Sequence, residues 1–312
     1  MYHQPVMVDE VLEYLQPSWG TVVDATLGGG GHARAILDAF EAAAANETRA
    51  KPALDPECGH GGQRRRGRLL GIDADPEAVA SAREQLGKHD NMELIHGSYV
   101  DIVAFVRRFD MDPVTGVLFD LGVSMHQLAS SGRGFSHSGK GLIDMRFDQT
   151  ARQPTALDLI RHASDAELRG WLRAFGQEPM SGRVARVVHE RRHQLRTTVD
   201  LADAVRQAVP ARFRRKALTR VFQALRIVTN QELDAVRQGL AEAIDVVAPG
   251  GRIVVLAYHS LEDRIVKQSF RSGRDAGRLR VLTRKPSRPT AEEVSRNPQA
   301  RSARLRAAEA IA

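Results

Sequence analysis

Apolar runs bounded by acids and glycines recur between Val8 and Val123, and each is followed by a stretch of helical periodicity. Val8, Val11, Leu12 and Leu15 in VDEVLEYL predict a short amphipathic helix. Pro17–Gly20 reads as a turn. Val22 and Val23 then suit a strand buried on both faces. This strand ends in a carboxylate, runs through Gly28, Gly29, Gly30 and Gly31, and enters a helix near His32 that continues through Ala33–Ala44. RLLGIDAD at Arg68–Asp75 is a second strand, and Pro76 opens the helix that reaches Leu86. Met92–Gly97 and Thr115–Val123 are the third and fourth strands, with a helix Val100–Phe109 between them. Such alternation predicts a parallel, doubly wound sheet with its ligand along the carboxyl ends of the strands.

The alternation stops after Val123. Ser124–Phe147 is a loop rich in glycine and serine, and Pro154–Pro210 reads as helices only. Ser164 and Glu167 have capping-box spacing, and Leu168, Trp171, Leu172 and Phe175 share one helical face. The α/β pattern is expected to resume with a helix around Val221–Val228, after which Asn230 caps Gln231–Val247. Pro249–Gly251 is a turn, Ile253–His259 a strand ending in YHS, and Leu261–Phe270 a helix. Leu279–Arg284 and Ser302–Ala308 are β-like and predict a closing antiparallel hairpin at the sheet's edge. The expected division is 1–124 and 216–312 for an interrupted α/β domain, and 125–215 for a helical insertion. Asn46–Gly67, with its prolines, glycines and the run Arg64–Arg66, reads as a surface insertion.

Charge adds a second theme. The net charge is +7, but it is unevenly spread. Arg183–Arg226 holds 12 basic and 3 acidic residues, and Arg264–Arg306 holds 13 and 3. Segregation of this kind suits a polyanion such as nucleic acid, although solvated helix faces share the pattern. One cysteine, Cys58, excludes an intrachain disulfide framework and a cysteine-based metal site. Cys58 and His60 together are too few ligands, so no metal is expected. No apolar run is long enough to span a bilayer, and the first residues lack the apolar core of a signal peptide. The expected location is the cytoplasm.

Candidate chemistry gathers at the strand ends. Glycines lacking Cβ let the backbone turn and expose its N–H groups at a helix N-terminus, which is a cradle for a nucleotide-type cofactor or a plain tight turn. Asp73, at the tip of the second strand, is placed to accept ribose hydroxyls, while Asp75 before Pro76 is the better helix cap. Tyr99 follows the third strand, where its ring stacks on an adenine or simply packs. Asp120 lies near the carboxyl end of the fourth strand.

The strings GGGGHARAIL, GIDADP, HGSY, DLGVSMHQL, RGFS with IDMRFD, FQALRI, YHSLEDRIVK and NPQARSARLR stand in one order along the chain. In that order they resemble the bacterial 16S rRNA (cytosine-N4)-methyltransferases, the MraW/RsmH family. The resemblance covers His3 to about Arg306 apart from the Asn46–Gly67 stretch. It implies an α/β fold of the class I S-adenosylmethionine-dependent methyltransferase type, Rossmann-like and doubly wound, with an inserted all-helical substrate domain. It also implies methylation of a cytidine's exocyclic amine in the decoding region, with 16S rRNA or the small ribosomal subunit as partner and S-adenosyl-L-methionine as cofactor. The family's cofactor contacts fall on Gly30, Gly31, His32, Asp73, Tyr99, Asp120 and Gln127. Met125 stands where a second serine is usual, Ala33 where serine usually follows the histidine, and Thr229 where an apolar residue is commoner.

Transfer of a sulfonium methyl to an amine needs in-line placement and an acceptor for an amine hydrogen as positive charge develops. Asp120, Ser124, Asn230 and His259 are the catalytic candidates. Two other readings use the same features. One is a nicotinamide-dependent oxidoreductase on a related sheet. The other is a non-catalytic RNA-binding ribosome-assembly factor on a methyltransferase fold. A second copy of the chain, in a homodimer, is among the expected partners.

Overall fold

The computed structural model describes residues 5–49 and 67–311. In chain order the first elements are α1 (Val8–Leu15), β1 (Thr21–Asp24), α2 (Gly31–Arg49), β2 (Arg68–Asp73), α3 (Pro76–Leu86), β3 (Met92–His96), α4 (Ile102–Arg108) and β4 (Val114–Asp120). A helical stretch follows, with α5 (Met125–Ala129), α6 (Ala156–His162), α7 (Asp165–Ala174), α8 (Ser181–Arg191), α9 (Thr198–Ala208) and α10 (Arg214–Asn230). The chain then forms α11 (Glu232–Val246), β5 (Val247–Ala257), α12 (Ser260–Asp275), β6 (Leu279–Val281), α13 (Ala291–Arg296) and β7 (Arg304–Ala310).

The strands form one sheet in the order β3-β2-β1-β4-β5-β7-β6. β1 to β5 are parallel, as the apolar runs joined by helices require. β7 pairs antiparallel with both β5 and β6. The expected hairpin therefore forms, but its second strand lies inside the sheet and β6 is the edge. Register sets up the site. Asp24 stands opposite Gly71 on β2 and Leu118 on β4. Asp73 and Asp120 thus each project two residues beyond the end of β1, flanking the point where the glycine loop leaves the sheet. Val22, Ile36, Leu69, Leu118, Val254 and Leu305 belong to the buried apolar cluster beneath.

The chain divides into two compact units. Gly122 ends the first stretch of the α/β unit, Ala235 begins its second, and Val123–Asp234 belongs to the other unit. The later boundary lies beyond the expected residue 215. Helix α10, expected to return the chain to the sheet, instead gives Ala217, Leu218, Val221, Phe222, Ala224 and Leu225 to the helical core. Its apolar period reads the same whichever core it faces. Asn230 corrects a second expectation. It is the last residue of α10 and not the cap of α11, and Gln231 turns the chain with φ 49°. The capping box of Ser164 with Glu167 is present, and Leu168 and Leu172 are buried. Helix α2 runs to Arg49, so the start of the Asn46–Gly67 stretch is helical, and residues 50–66 lie outside the described residues. Among the described residues, no helix is long and apolar enough to cross a membrane.

Candidate active site

The loop after β1 is pinned on both sides before it reaches α2. The Ala25 N–H donates to the Leu118 carbonyl on β4 (2.8 Å), and the Leu27 N–H donates to the Ile72 carbonyl on β2 (2.9 Å). Gly28 and Gly30 follow with φ of 50° and 81°, a region that side chains resist. Gly31 is needed for space, because a Cβ there would lie 3.0–3.1 Å from the Pro5 ring. The segment Pro5–Met7 is tied over this loop. The Val6 carbonyl lies 2.9 Å from His32 Nε2, and the Met7 N–H donates to Glu293 Oε1 on α13 at 2.6 Å.

Asp73 closes the other side of the loop. Its Oδ2 accepts from the Gly28 N–H (2.7 Å) and its Oδ1 from the Asp75 N–H (2.8 Å). Each oxygen keeps a further lone pair for a ligand hydroxyl. Burial pushes the Asp73 carboxyl up to about 6, against the pull of those two amides. Asp75 caps α3, accepting from the Glu77 N–H at 3.0 Å, as its place before Pro76 implies.

Asp120 is held from several directions. Its N–H donates to Thr26 Oγ1 (2.6 Å), and its Oδ1 accepts from the Tyr258 hydroxyl (2.6 Å). Its Oδ2 faces His32 Nδ1 at 3.5 Å. A carbonyl only accepts, so the Val6 contact places a proton on His32 Nε2 and leaves Nδ1 as the nitrogen aimed at Asp120.

Asp24 is the residue that reading the chain underrated, noted there only as a strand's terminal carboxylate. It is 1% exposed. Its Oδ1 accepts from the Thr26 N–H (3.3 Å), while its buried Oδ2 has no hydrogen-bond partner. Its carboxyl is pushed up to about 7, first by burial and further by Asp120 and Asp73, with His32 opposing. Three acids at adjoining strand tips make a place that favours a cation and repels a pyrophosphate. This disfavours the nicotinamide reading. It fits S-adenosylmethionine, whose sulfonium and ammonium carry positive charge and whose ribose needs acceptors like Asp73.

Tyr99 packs edge-on against Phe119, with ring centroids 5.6 Å apart, and lies where a Cβ on Gly239 would meet its ring at 2.5 Å. It is half-buried at the carboxyl end of β3. His259 caps α12. Its Nδ1 accepts from the Glu262 N–H (3.3 Å), and its Nε2 lies 3.1 Å from Glu262 Oε1 without hydrogen-bond alignment. The α/β unit thus brings Gly30, Gly31, His32, Asp73 and Asp120 together, with Tyr99 and His259 at the same ends of their strands.

Ser124, Gln127 and Asn230 belong to the helical unit. Ser124 Oγ accepts from the Gln127 N–H (3.2 Å) and Gln127 Oε1 from the Ser124 N–H (3.0 Å), a reciprocal cap on α5. Asn230 Oδ1 accepts from the Phe147 N–H (2.8 Å), and its Nδ2 donates to the carbonyls of Met145 (2.7 Å) and Arg226 (3.0 Å). Asn230 therefore knits the RGFS–IDMRFD loop to α10. Arg133 and the Asp144–Arg146 pair hold the same loop.

Both basic segments carry ion pairs and exposed cations once folded, Arg206, Arg220 and Arg226 being paired in the first and Arg264, Lys267, Arg284 and Lys285 exposed in the second. In the second, Arg278 pairs with Asp245, Arg280 with Glu309, Arg274 with Asp275, and Arg306 with Asp263. In the first, Arg183, Arg186, Arg196, Arg212, Arg214, Arg215 and Lys216 are exposed. Phe213 stands among them at 41% exposure with the Arg212 guanidinium over its ring.

A glycine loop between acid-tipped parallel strands, on a sheet with an antiparallel seventh strand inserted beside its edge, defines a class I S-adenosylmethionine-dependent methyltransferase. The model of the MraW methylase family matches residues 1–51 and 61–311. The chain belongs to that family. It is 43% identical to the "Ribosomal RNA small subunit methyltransferase H" of Thermomicrobium roseum, over 99% of this chain and 94% of that one. Proteins of the same name from Kosmotoga olearia and Thermotoga neapolitana are each 41% identical over 99% of this chain, and 97% and 96% of theirs.

Proposed function

We propose that this chain methylates the exocyclic N4 amine of a cytidine in the decoding region of 16S rRNA, in the cytoplasm, using S-adenosylmethionine. The observation that carries the reading is the set of strand-tip acids, Asp24, Asp73 and Asp120, around the glycine loop of a chain in the MraW methylase family. When bound, S-adenosylmethionine supplies a methyl group on a positively charged sulfur. Gly30 and Gly31 admit the cofactor close to the backbone, Asp73 takes the ribose hydroxyls, and the unpartnered oxygen of Asp24 receives positive charge. Tyr99 borders the adenine side.

A cytosine amine is a weak nucleophile because its lone pair is conjugated into the ring. Asp120 accepts one amine hydrogen, so the nitrogen pyramidalises as charge develops on it. Ser124, Asn230 and His259 act on structure, through the caps and loop contacts they already make. Because a stacked base hides its amine, the target enters unpaired or flipped. The exposed arginines of the helical unit neutralise flanking phosphates.

The test is to incubate the protein with labelled S-adenosylmethionine and either small subunits or their RNA, then map the modified base. Label on a single N4-methylcytidine is the expected result. Label on another atom, or binding of RNA without any transfer, overturns the reading.

A further inference from the structure

Tyr258 is engaged with Asp120 although 138 positions separate them. Asp120 on β4 is in register with Leu256 on β5, so Tyr258 emerges two residues later, beyond the end of the same pair of strands. Its ring lies back over the DLG turn. A Cβ on Gly122, where φ is 107°, would lie 3.5 Å from the ring's Cδ2. Its backbone N–H donates to Glu262 Oε2 at 2.9 Å, and Glu262 is itself 1% exposed as part of the cap on α12. The phenol is thus fixed at both ends and delivers its hydroxyl to Asp120 Oδ1 at 2.6 Å, the length of a strong hydrogen bond to a carboxylate. Burial and the neighbouring Asp120 charge push its ionisation upward, so it stays a donor.

We propose that Tyr258 is a positioning residue for methyl transfer. By holding Oδ1 against rotation about the Cβ–Cγ bond, it fixes the direction in which the Asp120 carboxylate accepts the target amine. The proposal rests on the reading of Asp120 given above. A carboxylate tethered on one oxygen, with His32 facing the other, offers its remaining lone pairs in one orientation. Without the tether the group turns, and the amine meets an acceptor in the right place only part of the time.

The substitution Tyr258→Phe removes one oxygen and keeps the ring. Expected is a kcat lower by about 10- to 100-fold on small subunits, a KM for S-adenosylmethionine and a Kd for S-adenosylhomocysteine within about threefold of wild type, and a Tm lower by only a few degrees, as loss of one hydrogen bond entails. A kcat within about twofold of wild type overturns the proposal, as does a loss of S-adenosylhomocysteine binding that tracks the loss of rate. A ligand-free crystal structure of Y258F gives a second readout independent of turnover. The Asp120 carboxylate should leave its wild-type plane or divide between two rotamers, and an unmoved carboxylate overturns the proposal. If wild-type protein labels no cytidine while the Asp120 carboxylate still turns in Y258F, the proposed reaction fails and the tether stands.

Discussion

Replacing Asp24 by Asn should reverse sign in its effect on stability as pH changes. The carboxyl is raised from 3.8 to about 7 in the folded chain, mainly because burial disfavours its charged form. Between those values the folded state holds a proton that the unfolded state has released, so stability falls as pH rises through the window. Below about pH 4 the two states bind that proton alike, and above about pH 7 the full penalty is present, on the order of 4 kcal/mol for a shift of about three units. Asn keeps an acceptor for the Thr26 N–H and carries no charge, but it puts two amide hydrogens where Oδ2 now lacks a partner. That costs about 1–3 kcal/mol at every pH. D24N should therefore be the less stable protein near pH 4.5 and the more stable one near pH 8. The difference between variant and wild type should change by about 3 kcal/mol across that range. Urea unfolding without ligand measures it. Trp19 lies in the α/β unit and Trp171 in the helical one, so a W171F background isolates the relevant transition. A variant-minus-wild-type difference that stays flat with pH would refute the argument, whatever its absolute value.

Other outcomes follow from the same contacts. Asp73→Ala removes the acceptor for the Gly28 and Asp75 amides and should abolish stabilisation by S-adenosylhomocysteine in a thermal shift, while RNA affinity measured by filter binding stays within about twofold. RNA binding should weaken with salt as a straight line in log K against log salt, and replacing Arg212, Arg214 and Arg215 together by Ala should lower the slope by about 2–3. Asn230→Ala leaves the Phe147 N–H and Met145 carbonyl unpaired and should cost about 2–4 kcal/mol of the helical unit's stability in denaturant titration, with little change in S-adenosylhomocysteine affinity.

What could be read from the chain divides by distance. The strand–glycine–helix unit, Asp73 at its strand tip and the cap at Asp75 are local patterns, and the structure contains them as local geometry. The switch from strand–helix alternation to helices is also visible, because the apolar period changes from that of strands to that of helices. Asn230 misled for a physical reason. α10 and α11 nearly abut, so an Asn before an apolar helix resembles a cap when the turn is in fact made by Gln231. His259 left its role open because His is an unusual cap, although Glu262 three residues on is the partner a capping box needs. The pairing of Tyr258 with Asp120, and the isolation of Asp24 Oδ2, depend on strand register and burial between segments far apart in sequence. No neighbouring residue announces either.

The position of β7 has a consequence during synthesis. Strand β5, which leads to Tyr258, has β4 on one side and β7 on the other, so its second row of hydrogen-bonding groups waits for residues made after everything else in the sheet. Until Arg304–Ala310 leave the ribosome, a nascent chain carries an open apolar edge in the middle of its future sheet, exposed to pairing with other chains. The same delay keeps the Arg306–Asp263 pair from forming, so α12 lacks that tether until β7 itself has been made.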